Sequence, residues 1–203
     1  MHNRKIAESM SGKSRAVATF GPPKNKKMKK NIIIYGIIAG IVVSFLMLFS
    51  VNNISHEGYI DYDTSMLIGY ASMLIAFSLV FVGIRNYRDK YNGGVISFGK
   101  AFKTGMSIVL IASTIYVVSW LIDYFYFIPD FTDKYAAHII GQLKSSGASQ
   151  IVIDEKTKEM ADFASMYKNP FFNALITYTE ILPVGLIVTL ISSLILKRRT
   201  EIK

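Results

Sequence analysis

The chain has 203 residues, of which 51% are hydrophobic and 18% charged, with a formal net charge of +9 at pH 7 and no cysteine. The lack of cysteine excludes disulfides, thiolate metal sites and a cysteine nucleophile. In a soluble protein this positive charge would indicate nucleic-acid binding, but here the charges lie at the ends and between long apolar runs, which favours an integral membrane protein.

Residues 1–27 form a basic extension with a Gly21-Pro22-Pro23 break, and we expect this extension to be disordered and cytoplasmic. Residues 28–203 are predicted to form one membrane domain. Its first span covers about residues 31–52, inside the charge-free run Asn31–Ser55. This run is longer than the roughly 7–15 apolar residues of a cleavable signal peptide, so we interpret it as an uncleaved signal anchor.

Three further spans are predicted at about residues 64–84, 104–122 and 171–196, and Glu180 is their only charged residue. Each span has about the 20 residues that an α-helix needs to cross a hydrocarbon core of roughly 30 Å. Backbone groups in lipid must be hydrogen-bonded within helices or closed barrels. The sequence therefore predicts an all-α fold, a four-span transmembrane helical bundle.

The lysines and arginines indicate the orientation of this bundle. Residues 1–30 hold 9 of the 23, residues 85–103 hold 5 and residues 197–203 hold 4, whereas residues 56–63 hold none. Because Lys and Arg mark the cytoplasmic side, both termini are predicted to be cytoplasmic. Anionic lipid headgroups, and not nucleic acid, are the expected partners of the basic residues nearest the spans: Lys26, Lys27, Lys29, Lys30, Arg85, Arg88, Lys100, Lys103, Lys197, Arg198 and Arg199.

The cytoplasmic loop 85–103 is predicted to continue the second helix as far as Tyr91. Asn92-Gly93-Gly94 would then end it, because glycine accepts the left-handed conformation at a helix end, and Ser97 would cap the third helix. The run Gly94–Ala101 resembles the phosphate-binding loop G-x-x-x-x-G-K-[ST]. Alanine nevertheless replaces the hydroxyl residue that would hold Mg²⁺, and no strand is predicted before it, so we interpret the run as the capped start of a membrane helix.

The outer loop 123–168 is long enough to form a small extracytoplasmic helical cap. Apolar residues between Phe131 and Leu143 recur at helical spacing, and a second helix is expected from Ile153 to Tyr167. We favour packing of these helices on their own bundle, with docking of a partner as the alternative. An aromatic belt is expected at the outer membrane surface: Tyr59, Tyr62, Trp120, Tyr124, Phe125 and Tyr126.

Glu180 is the candidate functional residue within the spans, because ionisable groups in lipid are costly and often functional. It lies 17 residues before Lys197, or roughly 25 Å at 1.5 Å per residue, near the outer boundary of the hydrocarbon core. Pro183 has no amide hydrogen for the carbonyl of Thr179 and is expected to kink the helix.

Two interpretations of Glu180 follow from this position. In one, Glu180 and the loosened turn line an outward-facing polar cavity together with Thr177, Tyr178 and Ser119. In the other, Glu180 only hydrogen-bonds neighbouring helices near the headgroups.

Other patterns have structural interpretations. Gly36 and Gly40 form a small-xxx-small pattern that lets helices approach closely, and we expect it to pack within the bundle. His56 and His138 have no partners at metal-ligand spacing, and neither H-E-x-x-H nor G-x-S-x-G occurs. We therefore predict no catalytic residue, no metal and no cofactor, and a protein that is not an enzyme.

Three stretches carry a resemblance to a known family: Phe81–Gly105, which reads FVGIRNYRDKYNGGVISFGKAFKTG; Tyr35–Gly40, which reads YGIIAG; and Glu180–Gly185, which reads EILPVG and is followed by LKRR at 196–199. They resemble an uncharacterised family of small bacterial four-helix integral membrane proteins, a domain of unknown function. The resemblance covers about residues 28–199. It implies a multi-pass protein of the bacterial cytoplasmic (inner) membrane and no particular activity.

Two functional hypotheses follow from the sequence. The first is a non-enzymatic protein that assembles with itself or with membrane-protein partners through its cap or its bundle. The second is a small transporter or channel that uses Glu180 beside the Pro183 kink.

Overall fold

The computed structural model describes residues 24–56 and 62–198, and these residues fold into six α-helices and one π-helical turn. The all-α prediction is confirmed. Four helices, α1, α2, α3 and α6, are long and apolar enough to cross a membrane. The helices are α1 Lys24–His56, α2 Tyr62–Asn86, α3 Phe98–Tyr126, α4 Phe131–Ser145, α5 Gln150–Tyr167 and α6 Pro170–Leu196, and the π-helical turn is Tyr87–Tyr91.

The structure shifts two of the expected boundaries. Helix α1 begins at Lys24, so residues 24–27 are helical and do not belong to the expected disordered extension, in keeping with the good helix propensity of lysine. Residues 1–23, the rest of that extension, lie outside the described residues. The predicted continuation of α2 through Tyr91 is present, but its last five residues form a π-helical turn.

The four long helices form a ring in which α1 and α6 each contact both α2 and α3. Glycines bring α1 close to α3. A Cβ at Gly36 would lie 2.7 Å from Cβ of Ile111, and a Cβ at Gly40 would lie 2.7 Å from Cδ1 of Ile115. The small-xxx-small pattern therefore packs within the bundle, as predicted, because only glycine lets these backbones approach so closely.

One end of the bundle, which we call the basic end, contains the start of α1, the end of α2, the start of α3 and the end of α6. Asn31 donates to the carbonyl of Gly83 at 2.9 Å and accepts from Asn86 at 2.7 Å. These hydrogen bonds fix α1 against α2 where the two helices reach the basic residues. Asn31 is itself buried, and a buried amide without hydrogen-bond partners would be costly.

The loop between α2 and α3 has the predicted turn chemistry. Gly93 and Gly94 have φ of 69° and 77°, which favours glycine because it has no Cβ. The Ser97 side chain accepts from the Lys100 amide at 3.4 Å and caps α3. The run that resembles a phosphate-binding loop is thus the start of a helix, and its Lys100 Nζ lies 3.0 Å from Oδ1 of Asn92.

The cap, which we define as α4 and α5, covers the other end of the bundle. Phe131 and Tyr135 of α4 and Phe163 and Tyr167 of α5 turn toward the long helices. Phe131 meets Trp120 of α3 edge to face, with 5.2 Å between ring centroids. The apolar faces predicted for the two cap helices therefore pack on the protein's own bundle.

Candidate functional site

The long helices enclose a cavity at the end that the cap covers. Its volume is about 340 Å³, near the lower end of the range of about 300–1,000 Å³ that is typical of small-molecule sites. All six helices contribute side chains to it, and most of these are apolar or aromatic. The polar lining residues, apart from the aromatic ones, are Ser50, Ser72, Thr132, Thr177 and Glu180.

The cavity borders the first turns of α2, where most described residues are exposed. Met66 and Leu67 are 53% and 72% exposed, whereas Met73 is 1% exposed. A Cβ at Gly69, between these two regions, would meet no atom within 4 Å. Gly69 lines the cavity, so its open side is part of this space.

A tightly packed apolar layer lies between the cavity and the basic end. Gly185 of α6 packs directly against Val109 of α3 and Phe77 of α2. Phe77, Val109 and the neighbouring Ile181 are fully buried. The cavity is therefore closed toward the basic end, and the space is confined to the cap side of the bundle.

Glu180 lies in the wall of this cavity. Glu180 is exposed, and it makes no hydrogen bond or ion pair with the described residues. Of its three expected neighbours, only Thr177 lines the cavity. Tyr178 donates to Thr114 at 2.9 Å, and Ser119 donates to the carbonyl of Ile115 at 2.9 Å.

Pro183 does not line the cavity and is exposed on the outside of α6. Helix α6 is assigned as one helix from Pro170 to Leu196, with Pro183 inside it. The missing amide of Pro183 leaves the Thr179 carbonyl without its usual partner in the helix. The Thr179 hydroxyl itself donates to the carbonyl of Ile176 at 2.7 Å.

A buried hydrogen-bond cluster joins the cap to the bundle beside the cavity. The indole Nε1 of Trp120 donates to the Tyr167 hydroxyl at 3.0 Å and to Oδ1 of Asn173 at 3.1 Å. The Asn173 amide donates to the carbonyl of Tyr167 at 3.4 Å, and the Thr177 hydroxyl donates to the carbonyl of Asn173 at 2.9 Å. The cluster thus connects α3, α5 and α6.

Aromatic contacts strengthen the same junction. Tyr124 of α3 meets Tyr167 edge to face, with 5.1 Å between ring centroids, and its hydroxyl lies 3.4 Å from the hydroxyl of Thr132 in α4. Burial, with a smaller contribution from the negative charge of Glu180, raises the pKa of Tyr167 to about 12. The Tyr167 phenol is therefore neutral at physiological pH and remains a good hydrogen-bond partner.

The expected aromatic belt is partly wrong. Trp120 and Tyr124 are buried under the cap, because an aromatic ring with one polar atom suits a buried hydrogen-bond cluster as well as a headgroup surface. Phe125 is half-buried, and Tyr126 is exposed as expected. The side chains of Tyr59 and Tyr62 lie outside the described residues.

Sequence reasoning missed Asn173 and Asp123 as structural residues. Asn173 is fully buried in the cluster described above. Asp123 is also buried, and its Oδ2 has no hydrogen-bond partner within the described parts of the chain. The available signal was the helical spacing of Tyr116, Trp120 and Asp123, which puts a polar stripe on the inner face of α3.

The basic residues predicted to contact headgroups fall into two groups at the basic end. Arg88 and Lys100 contact other residues of the protein. Arg88 donates to the Asp89 carboxylate at 2.6 Å and to the Leu196 carbonyl at 3.3 Å. The ammonium group of Lys100 lies over the Tyr87 ring. Arg199 lies outside the described residues. Lys27 is half-buried, and the others are exposed: Lys26, Lys29, Lys30, Arg85, Lys103, Lys197 and Arg198.

The fold defines a four-span α-helical membrane protein with a cavity beneath its cap. Residues 34–198, more than half of the chain, match the family described as "Protein of unknown function (DUF4199)", and the chain belongs to this family. The resemblance to a domain of unknown function is confirmed. No curated protein and no solved structure matches the chain. Among the described residues, no group of three or more His, Cys, Asp or Glu side chains is placed to hold a metal ion.

Proposed function

We propose that this protein is a non-enzymatic binding protein of the bacterial cytoplasmic membrane, which takes a small hydrophobic molecule into the cavity between cap and bundle. The observation that carries this proposal is the cavity of about 340 Å³, which is mostly apolar and has one carboxylate in its wall. Small-molecule sites in proteins commonly combine an apolar lining with a few placed polar groups. This proposal replaces assembly with protein partners, the interaction expected from the sequence, by binding of a small ligand.

The composition of the lining supports a role without catalysis. Glu180 is the only carboxylate among the described lining residues, and this set contains no His, Lys or Cys. Nucleophilic catalysis commonly pairs the nucleophile with a neighbouring base within hydrogen-bond reach. Glu180 has no such neighbour in the described part of the lining.

We also propose that the basic end faces the cytoplasm, with both termini there and the cap outside. The exposed residues Lys26, Arg85, Lys103 and Lys197 all belong to the same end of the bundle. Basic residues near span ends mark the cytoplasmic side, and each adds about 1 kcal/mol of attraction to anionic lipids. This arrangement supports the orientation proposed from the charge counts.

A small transporter is the second candidate, because Glu180 lies in the cavity wall. A transporter needs a second conformation in which the layer of Phe77, Val109 and Gly185 separates. Flux measurements in liposomes test this candidate: a pH-dependent flux that Glu180→Gln abolishes would support it, and absence of flux in the parent protein would remove it. Assembly with a second copy or with another membrane protein is tested separately by crosslinking in intact membranes.

Fluorescence of Trp120 tests the binding proposal directly, because Trp120 lines the cavity and is the only tryptophan in the chain. The probe is 2-(4-bromophenyl)ethanol, a neutral molecule whose bromine quenches a tryptophan on contact. The protein is reconstituted in phosphatidylcholine nanodiscs. We expect saturable quenching in the parent protein, above the linear quenching that comes from probe dissolved in lipid.

Two glycine variants provide the matched comparison. Gly69→Phe places a ring in the open part of the cavity. Gly141→Phe adds the same ring to α4, at a residue that does not line the cavity. A Cβ at either glycine would meet no atom within 4 Å. We expect the first variant to lose saturable quenching and the second to keep it. Equal quenching in both variants, or none that saturates in the parent protein, would remove the proposal.

A further inference from the structure

Among the described residues, no positive charge balances Glu180 in the cavity wall. Glu180 contributes a carboxylate to the wall, and no Lys, Arg or His is among the described lining residues. Glu180 is exposed in this wall, so its carboxylate is accessible to a ligand. Glu180 has neither an ion pair nor a hydrogen bond with the described residues, so a bound cation would supply the missing partner.

The rest of the lining suits an organic cation better than a metal ion. A metal ion would need several oxygen or nitrogen ligands, and Glu180 is the only carboxylate that the described lining provides. Aromatic rings, in contrast, line the space on the side of α3, α4 and α5, and ring faces attract ammonium groups. These rings belong to Tyr116, Trp120, Phe131, Tyr135, Phe163 and Tyr167.

The hydrogen-bond cluster strengthens this argument. The Nε1 hydrogen of Trp120 is already shared between Tyr167 and Asn173. The indole therefore offers the cavity its apolar ring and not its donor. Methionine and valine side chains of α1 and α2, including Met47, Val43 and Met73, complete the apolar part of the wall.

We propose that the ligand of this cavity is an ammonium group on an apolar body, with its positive charge paired with Glu180 and its body packed among the aromatic rings. This inference rests on the proposed binding function and names the chemical class of the ligand. Two kinds of molecule carry such an ammonium group: a free hydrophobic amine and the lipid phosphatidylethanolamine. A free amine is the better fit, because the described lining has no cation for a lipid phosphate.

Three bromophenyl probes that differ only in charge test the inference by quenching of Trp120. They are 2-(4-bromophenyl)ethylammonium, the neutral 2-(4-bromophenyl)ethanol and the anionic (4-bromophenyl)acetate. The full-length protein is held in nanodiscs of zwitterionic phosphatidylcholine, so that surface charge does not concentrate the cation. We expect the ammonium probe to bind about ten- to a hundredfold more tightly than the alcohol, the range of a charge-assisted contact, and the acetate more weakly than either.

The variant Glu180→Gln keeps the size of the side chain and removes its charge. We expect it to weaken binding of the ammonium probe to the level of the alcohol while leaving the alcohol unchanged, which also shows that the cavity is intact. Asp162→Asn is the control, because Asp162 is an exposed acid of α5 that does not line the cavity. This control should keep the full preference for the cation.

The outcomes separate the inference from the proposed function. Equal affinity for ammonium and alcohol, or a cation preference that survives Glu180→Gln, overturns the ammonium site while cavity binding stands. Failure of all three probes to saturate overturns both. Phosphatidylethanolamine added to the nanodiscs shows which of the two ligands binds. If it competes with the ammonium probe, the ammonium site binds the lipid headgroup. If the affinity for the probe is unchanged, the site binds a free amine.

Discussion

The indole Nε1 of Trp120 lies 3.0 Å from the hydroxyl oxygen of Tyr167, and this contact joins the third long helix to the second helix of the cap. Both residues also line the cavity. The side chains that hold the cap in place are therefore the same ones that shape the proposed binding site. Loss of the junction should affect the order of the cap and the shape of the cavity together.

Replacement of Asn173 by alanine tests the junction. Asn173 accepts from Trp120 and donates to the Tyr167 carbonyl, so Asn173→Ala removes both hydrogen bonds and leaves a small void. We expect a loss of about 2–4 kcal/mol in the free energy of unfolding. Amide hydrogen exchange should accelerate in α5 more than in α1.

Leu175→Ala is the control for this variant, because Leu175 lies on the same helix but faces outward, 51% exposed. It removes an apolar side chain without touching the cluster. Unchanged exchange in α5 of the Asn173 variant would show that the cap is held by other contacts.

A second prediction concerns alkaline pH. Burial raises the pKa of Tyr167 to about 12, whereas an unfolded tyrosine ionises near about 10. The unfolded state therefore loses its proton first, so the stability contributed by this phenol is fully present below pH ~10 and is lost as the pH rises toward 12. Tyr167→Phe should show a smaller loss of stability over this interval, although it is less stable than the parent protein at pH 7.

Trp120→Phe separates the titration from the hydrogen bond. It removes the same Trp120–Tyr167 contact but keeps the titrating phenol, so it should retain the steep alkaline loss. Denaturation midpoints measured in mixed micelles between pH 9 and 12 would reveal the difference. Parallel pH profiles for the two variants would contradict the assignment of the loss to Tyr167.

The spans and the cap helices were predictable because local sequence determines them. A charge-free run such as Thr104–Ile122 has few alternatives to a membrane helix, and the stripe from Phe131 to Leu143 shows its helical period directly. The glycine turn before Ser97 was predictable for the same reason, since glycine just after a helix commonly adopts the left-handed conformation.

The cavity was not predictable in the same way, because it depends on how all six helices pack together. Met66 and Met73 are equally apolar in the sequence, yet one is half-exposed and the other is buried. The aromatic residues were ambiguous for a related reason. The chemistry of Trp120 fits either a headgroup surface or a buried hydrogen bond, and only the packing of the cap decides between them.

A third prediction concerns the contact between α1 and α3. In Gly40→Ala the new Cβ would lie 2.7 Å from Cδ1 of Ile115 and 3.2 Å from Cα of Ala112. The backbone of α3 cannot move away as easily as a side-chain end, so we expect a loss of about 1–3 kcal/mol in stability. Thermal unfolding in detergent measures this loss.

Gly69→Ala is the matched control, because a Cβ there meets no atom within 4 Å. This variant should be neutral or slightly stabilised, since alanine is the better helix former. A Gly40→Ala protein of normal stability but altered oligomeric state would show instead that this glycine packs between copies of the chain.

The last prediction concerns orientation, and the absence of cysteine from the chain makes it simple to test. Ser146→Cys places one thiol in the exposed turn between α4 and α5, and Lys90→Cys places one at an exposed position of the π-helical turn at the basic end. If lysine and arginine set the topology, a membrane-impermeant maleimide added to intact cells will label the cysteine at 146 and not the one at 90. Permeabilised cells should allow labelling of both, which verifies that each thiol is reactive. The opposite pattern would place the cap in the cytoplasm, and the proposed ligand would then reach its cavity from inside the cell.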